Sequence, residues 1–85
     1  MKWRILIGNS ARKNLARFPN RDRLRILLVL RDMGENPQNG DIEKIAGEIH
    51  AWRRRIGNYR IVYEIDAKQR SVSVKDIRRR TTSTY

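Results

Sequence analysis

The first cluster of apolar residues, "WRILIG" from Trp3 to Gly8, is rich in β-formers and ends at Gly8-Asn9, which predicts a first strand. The spacing then changes. Ser10 is placed to cap a helix in which Ala11, Leu15 and Phe18 recur at i, i+4 and i+7 as one stripe, and Pro19 stops it. Asn20 is placed to cap a second helix, with Leu24, Leu27, Leu28 and Arg31 along one face and Ile26, Val29, Leu30 and Met33 broadening the apolar surface. Gly34 sits where a left-handed C-cap glycine is expected. Two helices joined by Phe-Pro-Asn read as an antiparallel helical hairpin.

"ENPQNGD", Glu35 to Asp41, is dense in turn formers and predicts a loop. "IEKIAGE" is ambiguous between loop and a short extended piece. From Ile49 onward the period falls from 3.6 to 2, predicting strands over 49–56, 59–66 and 71–77, separated by Gly57-Asn58 and by "AKQR". The order β-α-α-β-β-β describes one α+β domain over residues 1–85, an antiparallel sheet packed against an N-terminal helical hairpin.

Gly57-Asn58 fits a two-residue loop of the primed type, since glycine tolerates positive φ. That loop would set Ile56 opposite Tyr59, Arg55 opposite Arg60, Arg54 opposite Ile61, Arg53 opposite Val62 and Trp52 opposite Tyr63. Alternation then sorts the hairpin into two faces. Trp52, Ile56, Tyr59, Ile61, Tyr63 and Ile65 make an apolar face for the helices, with Arg54 intruding. Arg53, Arg55 and Arg60 gather on the other face beside Val62 and Glu64. Like charges directly opposed across strands destabilise a hairpin by ~0.2–1 kcal/mol, by analogy with favourable pairs. Folding alone would not select Arg55 opposite Arg60, and a bound phosphate would relieve the repulsion. The competing explanation is that a solvated face of a very basic chain collects arginines by composition. Arg54 is expected to be structural, its stem on the core face and its head reaching a carboxylate or water.

Composition sharpens this. Twenty Lys and Arg against nine Asp and Glu give a net charge of +11 on 85 residues, which implies a polyanionic partner, nucleic acid first. Arginine suits phosphate because its planar fork donates two parallel hydrogen bonds. With no cysteine, neither a disulfide framework nor a thiolate metal site is available, and a reducing cytosol is acceptable. The longest apolar run, "ILLVL", is too short to span a bilayer, and the N-terminus lacks the apolar segment of a signal peptide, so the simplest expectation is a cytoplasmic protein with no membrane partner. The one histidine, His50, has no second histidine to work with, and there is no phosphate loop, nucleophile elbow or metal-ligand cluster. No cofactor is expected.

The chain ends "VKDIRRRTTSTY", which places Arg78, Arg79 and Arg80 just after the last predicted strand. Alone, this is a basic tail. Together, "WRRRIGNYRIVYEI" and that ending resemble the RelE/ParE superfamily of type II toxins over nearly the whole chain. The resemblance implies the RelE-like microbial ribonuclease fold. In the RelE branch it implies a toxin that cleaves mRNA in the ribosomal A site without a metal. In the ParE branch the same fold inhibits DNA gyrase and generally lacks the catalytic residues. Carried over by position, the basic pair of the RelE hairpin corresponds to Arg53 and Arg55, the arginine of "G-x-Y-R" to Arg60, the arginine just beyond the last strand to Arg79 and the tyrosine a few residues later to Tyr85. Three of these are the residues that strand alternation had already grouped.

The chain also departs from the pattern. Position 54 is often apolar in relatives, position 78 is often histidine or lysine, and lysines are common where Arg53 and Arg55 stand; arginine there keeps the charge but does not titrate. The expected chemistry is attack of a ribose 2′-hydroxyl on the adjacent phosphorus. Arg53, Arg55 and Arg60 would hold the phosphate, Arg79 would neutralise the leaving oxygen, and Tyr85 would act as base, its phenol starting near a pKa of about 10. Arg78 and Arg80 join them as RNA contacts. The partners implied are an antitoxin, the ribosome with its mRNA, and ribosomal RNA along the basic surface.

Overall fold

The computed structural model describes residues 2–80. Two helices pack on one five-stranded sheet whose order is β1-β5-β4-β3-β2, with strands at Arg4–Ile7, Ile42–Lys44, Ala51–Ile56, Tyr59–Asp66 and Ser71–Arg79. Helix α1 spans Asn9–Arg17 and α2 spans Asn20–Met33. The predicted α+β arrangement is therefore present, with the ambiguous "IEKIAGE" supplying the short edge strand β2. Strand β1 joins β5 in parallel and every other pairing is antiparallel.

The hairpin register is the one the turn demanded. Ile56 pairs with Tyr59, Arg55 with Arg60, Arg54 with Ile61 and Arg53 with Val62. Gly57 takes φ +54° at the first loop position, where a primed turn requires it. One face of the hairpin is then core. Ile56, Tyr59, Ile61 and Tyr63 are buried against Ala11 and Leu15 of α1 and against Ile26, Leu30 and Met33 of α2. Phe18 follows its stripe and meets the Tyr59 ring at 4.7 Å between centroids. Arg54, the intruder, is only 13% exposed along its side chain and ends on Asp32 of α2, Nη1 to Oδ2 at 3.2 Å. Gly40 lets that guanidinium in: at φ +88° it has no side chain, and a Cβ there would lie 2.6 Å from the Arg54 Cζ.

Four local expectations are corrected. The buried stripe of α2 is Ile26, Leu30 and Met33, while Leu24, Leu27 and Leu28 face solvent. The helix is apolar nearly all round, so the sheet rather than the periodicity selects the face. Gly34 is right-handed, φ −66° and ψ −22°, because the chain continues into a further turn, with the N–H groups of Glu35 and Asn36 both donating to the Asp32 carbonyl. Neither helix has a side-chain cap: Gly8 and Pro19 hold the cap positions. Ser10 donates to Asp76 Oδ1 at 3.4 Å, and Asn20 Oδ1 accepts from Arg23. Finally, β5 runs past residue 77 to Arg79, since β4 begins at Tyr59 and offers pairing to its first residue. No described helix is long and apolar enough to cross a membrane.

Candidate nucleic-acid interface

The extension of β5 rearranges the site. Arg60 is the Cα partner of Arg55 on one side and of Arg78 on the other, so three arginines stand in one row across β3, β4 and β5. At the usual strand spacing the row is about 10 Å long. The adjacent row on the same face is Glu43, Arg53, Val62 and Asp76.

Carboxylates temper three of the arginines. Arg55 grips Asp41, Nε to Oδ2 at 3.2 Å and Nη2 to Oδ1 at 3.3 Å. The Nε of Arg53 lies 3.5 Å from Glu43 Oε1 without hydrogen-bond geometry. The Nε of Arg78 donates to Asp76 Oδ2. The Arg55–Asp41 and Arg53–Glu43 pairs are each worth at most about 1 kcal/mol, so an incoming phosphate can compete with them. Arg60 differs: among the described residues it has no ion pair or hydrogen bond, although charge of its own sign stands on both sides. A hollow of about 410 Å³ opens beside it, lined by Arg60, Val62, Asp76, Arg78, Arg79 and Arg80. A larger hollow of about 750 Å³ at the opposite end of the sheet is lined by Glu64, Asp66 and Lys68 and no arginine, so its acidic residues outnumber its one lysine.

The other sequence-derived candidates fall as follows. Arg53 lies one row away from Arg60 on the same face. Arg79 is the partner of Tyr59, a core-face residue, and its charge acts on the Tyr59 hydroxyl; it reaches the hollow from the rim, between the sheet and α1. Arg78, expected only as an RNA contact, is the strand partner of Arg60 in the row. Arg80 follows β5 and its N–H donates to the Asn58 carbonyl, fixing the chain against the hairpin loop. Tyr85 lies outside the described residues. Asp76, Asp41 and Glu43 were missed by the sequence reading, which weighed only the basic residues of this face. A carboxylate two residues before Arg78 on a predicted strand was the available signal for Asp76.

Two tyrosines behind the row have perturbed acidities. Tyr59 donates to Asp22 Oδ2 at 2.6 Å, and that bond, with burial and the Asp22 charge, raises its pKa above 10 against the lowering effect of Arg79. Tyr63 donates to the Pro37 carbonyl at 2.8 Å, and burial pushes its pKa up to about 12, with Arg54 opposing. Both are neutral anchors for the hairpin, holding it to α2 and to the 34–41 loop.

Residues 5–83 match the family model described as the ParE toxin of the type II toxin-antitoxin system parDE. The chain belongs to this family. The toxin has no match among curated protein sequences. Among solved structures it is similar to a chain of the RelBE2 toxin-antitoxin complex of Mycobacterium tuberculosis, with a TM-score of 0.83, 21% identity, and coverage of 94% of the toxin and 100% of that chain. Similar again is a chain of the archaeal RelE-RelB complex of Pyrococcus horikoshii, with a TM-score of 0.81, 26% identity, and coverage of 98% and 100%. The isolated RelE toxin of Escherichia coli matches with a TM-score of 0.81, 19% identity, and coverage of 95% and 87%. The toxin therefore shares the RelE fold and lies within the RelE/ParE superfamily.

Proposed function

We propose that the toxin is a ribosome-dependent endoribonuclease that cleaves mRNA in the A site by metal-independent attack of a 2′-hydroxyl. The observation that carries this reading is the row Arg55-Arg60-Arg78, because its like charges oppose one another across two strand junctions and its central member has no partner among the described residues. Arg60 would hold the scissile phosphate and stabilise the charge that develops on it, with Arg55 and Arg78 on either side and Arg53 in the next row. Arg79, at the rim, would neutralise the leaving 5′-oxygen, and Arg80 would contact the flanking strand. Loss of one such donor should lower the rate by ~10²–10³. Tyr85 is retained as the base on the strength of the family resemblance. None of the arginines is a tunable acid or base, so the site depends on the ribosome to bring the mRNA into line. The remaining surface arginines and lysines would face ribosomal RNA, with steep salt dependence. A cognate antitoxin, as in the RelBE2 and archaeal RelE-RelB complexes, would silence the toxin in the cytoplasm by covering this basic face.

The description of the matched family favours a second reading, a gyrase inhibitor in which the arginines only bind. Toeprinting of mRNA on programmed ribosomes separates the two. The nuclease reading expects A-site cleavage by the wild type and its loss in Arg60→Ala, Arg78→Ala and Tyr85→Phe. Intact mRNA together with gyrase-linked DNA breaks would establish the second reading instead.

A further inference from the structure

Asp76 is an odd residue to find in a hollow made for phosphate. It repels the ligand, yet it is only 19% exposed and both of its oxygens are engaged. Oδ1 accepts from Asn14 Nδ2 at 3.1 Å and from Ser10 Oγ at 3.4 Å, so helix α1 fixes the carboxylate from outside the sheet. Oδ2 accepts from the Nε of Arg78, a side chain that is otherwise 75% exposed. An arginine this exposed, with four rotatable bonds, would sample many directions. Tied at Nε, it loses much of that freedom, and among the described residues neither terminal nitrogen has a hydrogen-bond partner, while its strand partner is Arg60.

We infer that Asp76 is a positioning residue, held by Asn14, that fixes the Arg78 fork for contact with the reacting phosphate. The inference rests on the nuclease reading for the identity of that phosphate. It assigns the carboxylate no proton to carry, since both oxygens already accept hydrogen bonds. Pre-set geometry of this kind raises the rate of the chemical step more than affinity, because binding tolerates a misdirected fork better than the transition state does.

The test compares Asp76→Asn with Arg78→Ala and the double variant in single-turnover cleavage on programmed ribosomes. A bystander carboxylate would only weaken RNA engagement, so its removal would leave cleavage unchanged or improved. The positioning role has the opposite sign: the maximal rate falls about 10-fold to 100-fold, while the half-saturating concentration is unchanged or lower. On an Arg78→Ala background the Asp76→Asn change should add little, because the group it positions is gone. An unchanged rate, or fully additive losses, overturns the proposal. Exchange of the Arg78 Nε–H proton by NMR reads the same contact without catalysis: slow in the wild type, fast in Asp76→Asn, intermediate in Asn14→Ala. Fast exchange in the wild type overturns it. If wild-type toxin cleaves no A-site mRNA, the nuclease reading fails, and the proton exchange still decides whether Asp76 holds Arg78. Should Asp76→Asn not fold, Asn14→Ala must show a smaller fall in rate of the same sign.

Discussion

Replacing Arg60 by glutamine should make the protein more stable and less active at once. Glutamine keeps the first two methylenes of the stem and removes the charge. Two directly opposed like-charge pairs disappear, Arg55 with Arg60 and Arg60 with Arg78. Each would cost ~0.2–1 kcal/mol if unshielded. Asp41 and Asp76 already shield the outer partners, so the lower part of that range applies, about 0.3 kcal/mol per pair and about 0.6 kcal/mol together. For a domain of this size 1 kcal/mol shifts Tm by about 4–8 °C, which gives a rise of roughly 2–5 °C. Thermal unfolding followed by circular dichroism at 0.01 M and 1 M salt is the assay. The Debye length falls from ~30 Å to ~3 Å between those conditions, and the difference between the variants should shrink with it. An unchanged or lowered Tm at low salt would refute the reasoning, as would a gain independent of salt, since either result means the row is not strained by its own charge.

Ile26 is fully buried and Leu28 is 64% exposed on the same helix. Truncation to alanine should therefore cost about 2–5 kcal/mol at Ile26 and under about 0.5 kcal/mol at Leu28 in urea unfolding; the reverse order would place the helix on its other face. Tyr63→Phe removes the donor to the Pro37 carbonyl and should cost about 1 kcal/mol at neutral pH. The same change alters the alkaline limb of stability. The native Tyr63 pKa is about 12 against about 10 when unfolded, so between those values the unfolded chain loses its proton first and stability falls as pH rises, by at most about 1.4 kcal/mol per unit. The variant should lack this component while keeping the smaller one from Tyr59, and equal slopes over pH 10–12 in both proteins would contradict the assignment.

The alternation of the hairpin and the demand of Gly57-Asn58 were legible because both are local: one turn of known length fixes which residues face each other, and a period of 2 does the rest. The first helix was legible for a similar reason, since Ala11, Leu15 and Phe18 offer a single stripe. The second helix carries apolar residues at 24, 26 to 30 and 33, so no one face stands out until the sheet takes Ile26, Leu30 and Met33. Arg79 falls outside the row for a different reason. Strand β5 carries an irregularity opposite the Val62-Tyr63 step, where Val62 pairs with Asp76 but Tyr63 pairs with Val74. The extra residue, Lys75, changes which later residues share a face with Arg60. Nothing in local spacing announces such a bulge. Asp41 and Glu43 escaped notice because they reach Arg55 and Arg53 from a loop and another strand, and pairing of that range is decided by the packed fold.

The parallel pairing of β1 with β5 bears on the order in which the sheet is assembled. Ser71–Arg79 lies between the first strand and the fourth, so the sheet stays open along β4 until this later-synthesised strand is inserted. A nascent chain that stops short of Ser71 has the helices and the hairpin but neither Arg78 nor the scaffold that aligns it. The row itself needs only the β3-β4-β5 meander, whereas the β1–β5 contacts that flank it span most of the sequence, and such closure is slow compared with that of a hairpin. On the nuclease reading, fragments that stop before Arg78 would lack the row, and a longer chain would hold the row before β1 closes on its flank.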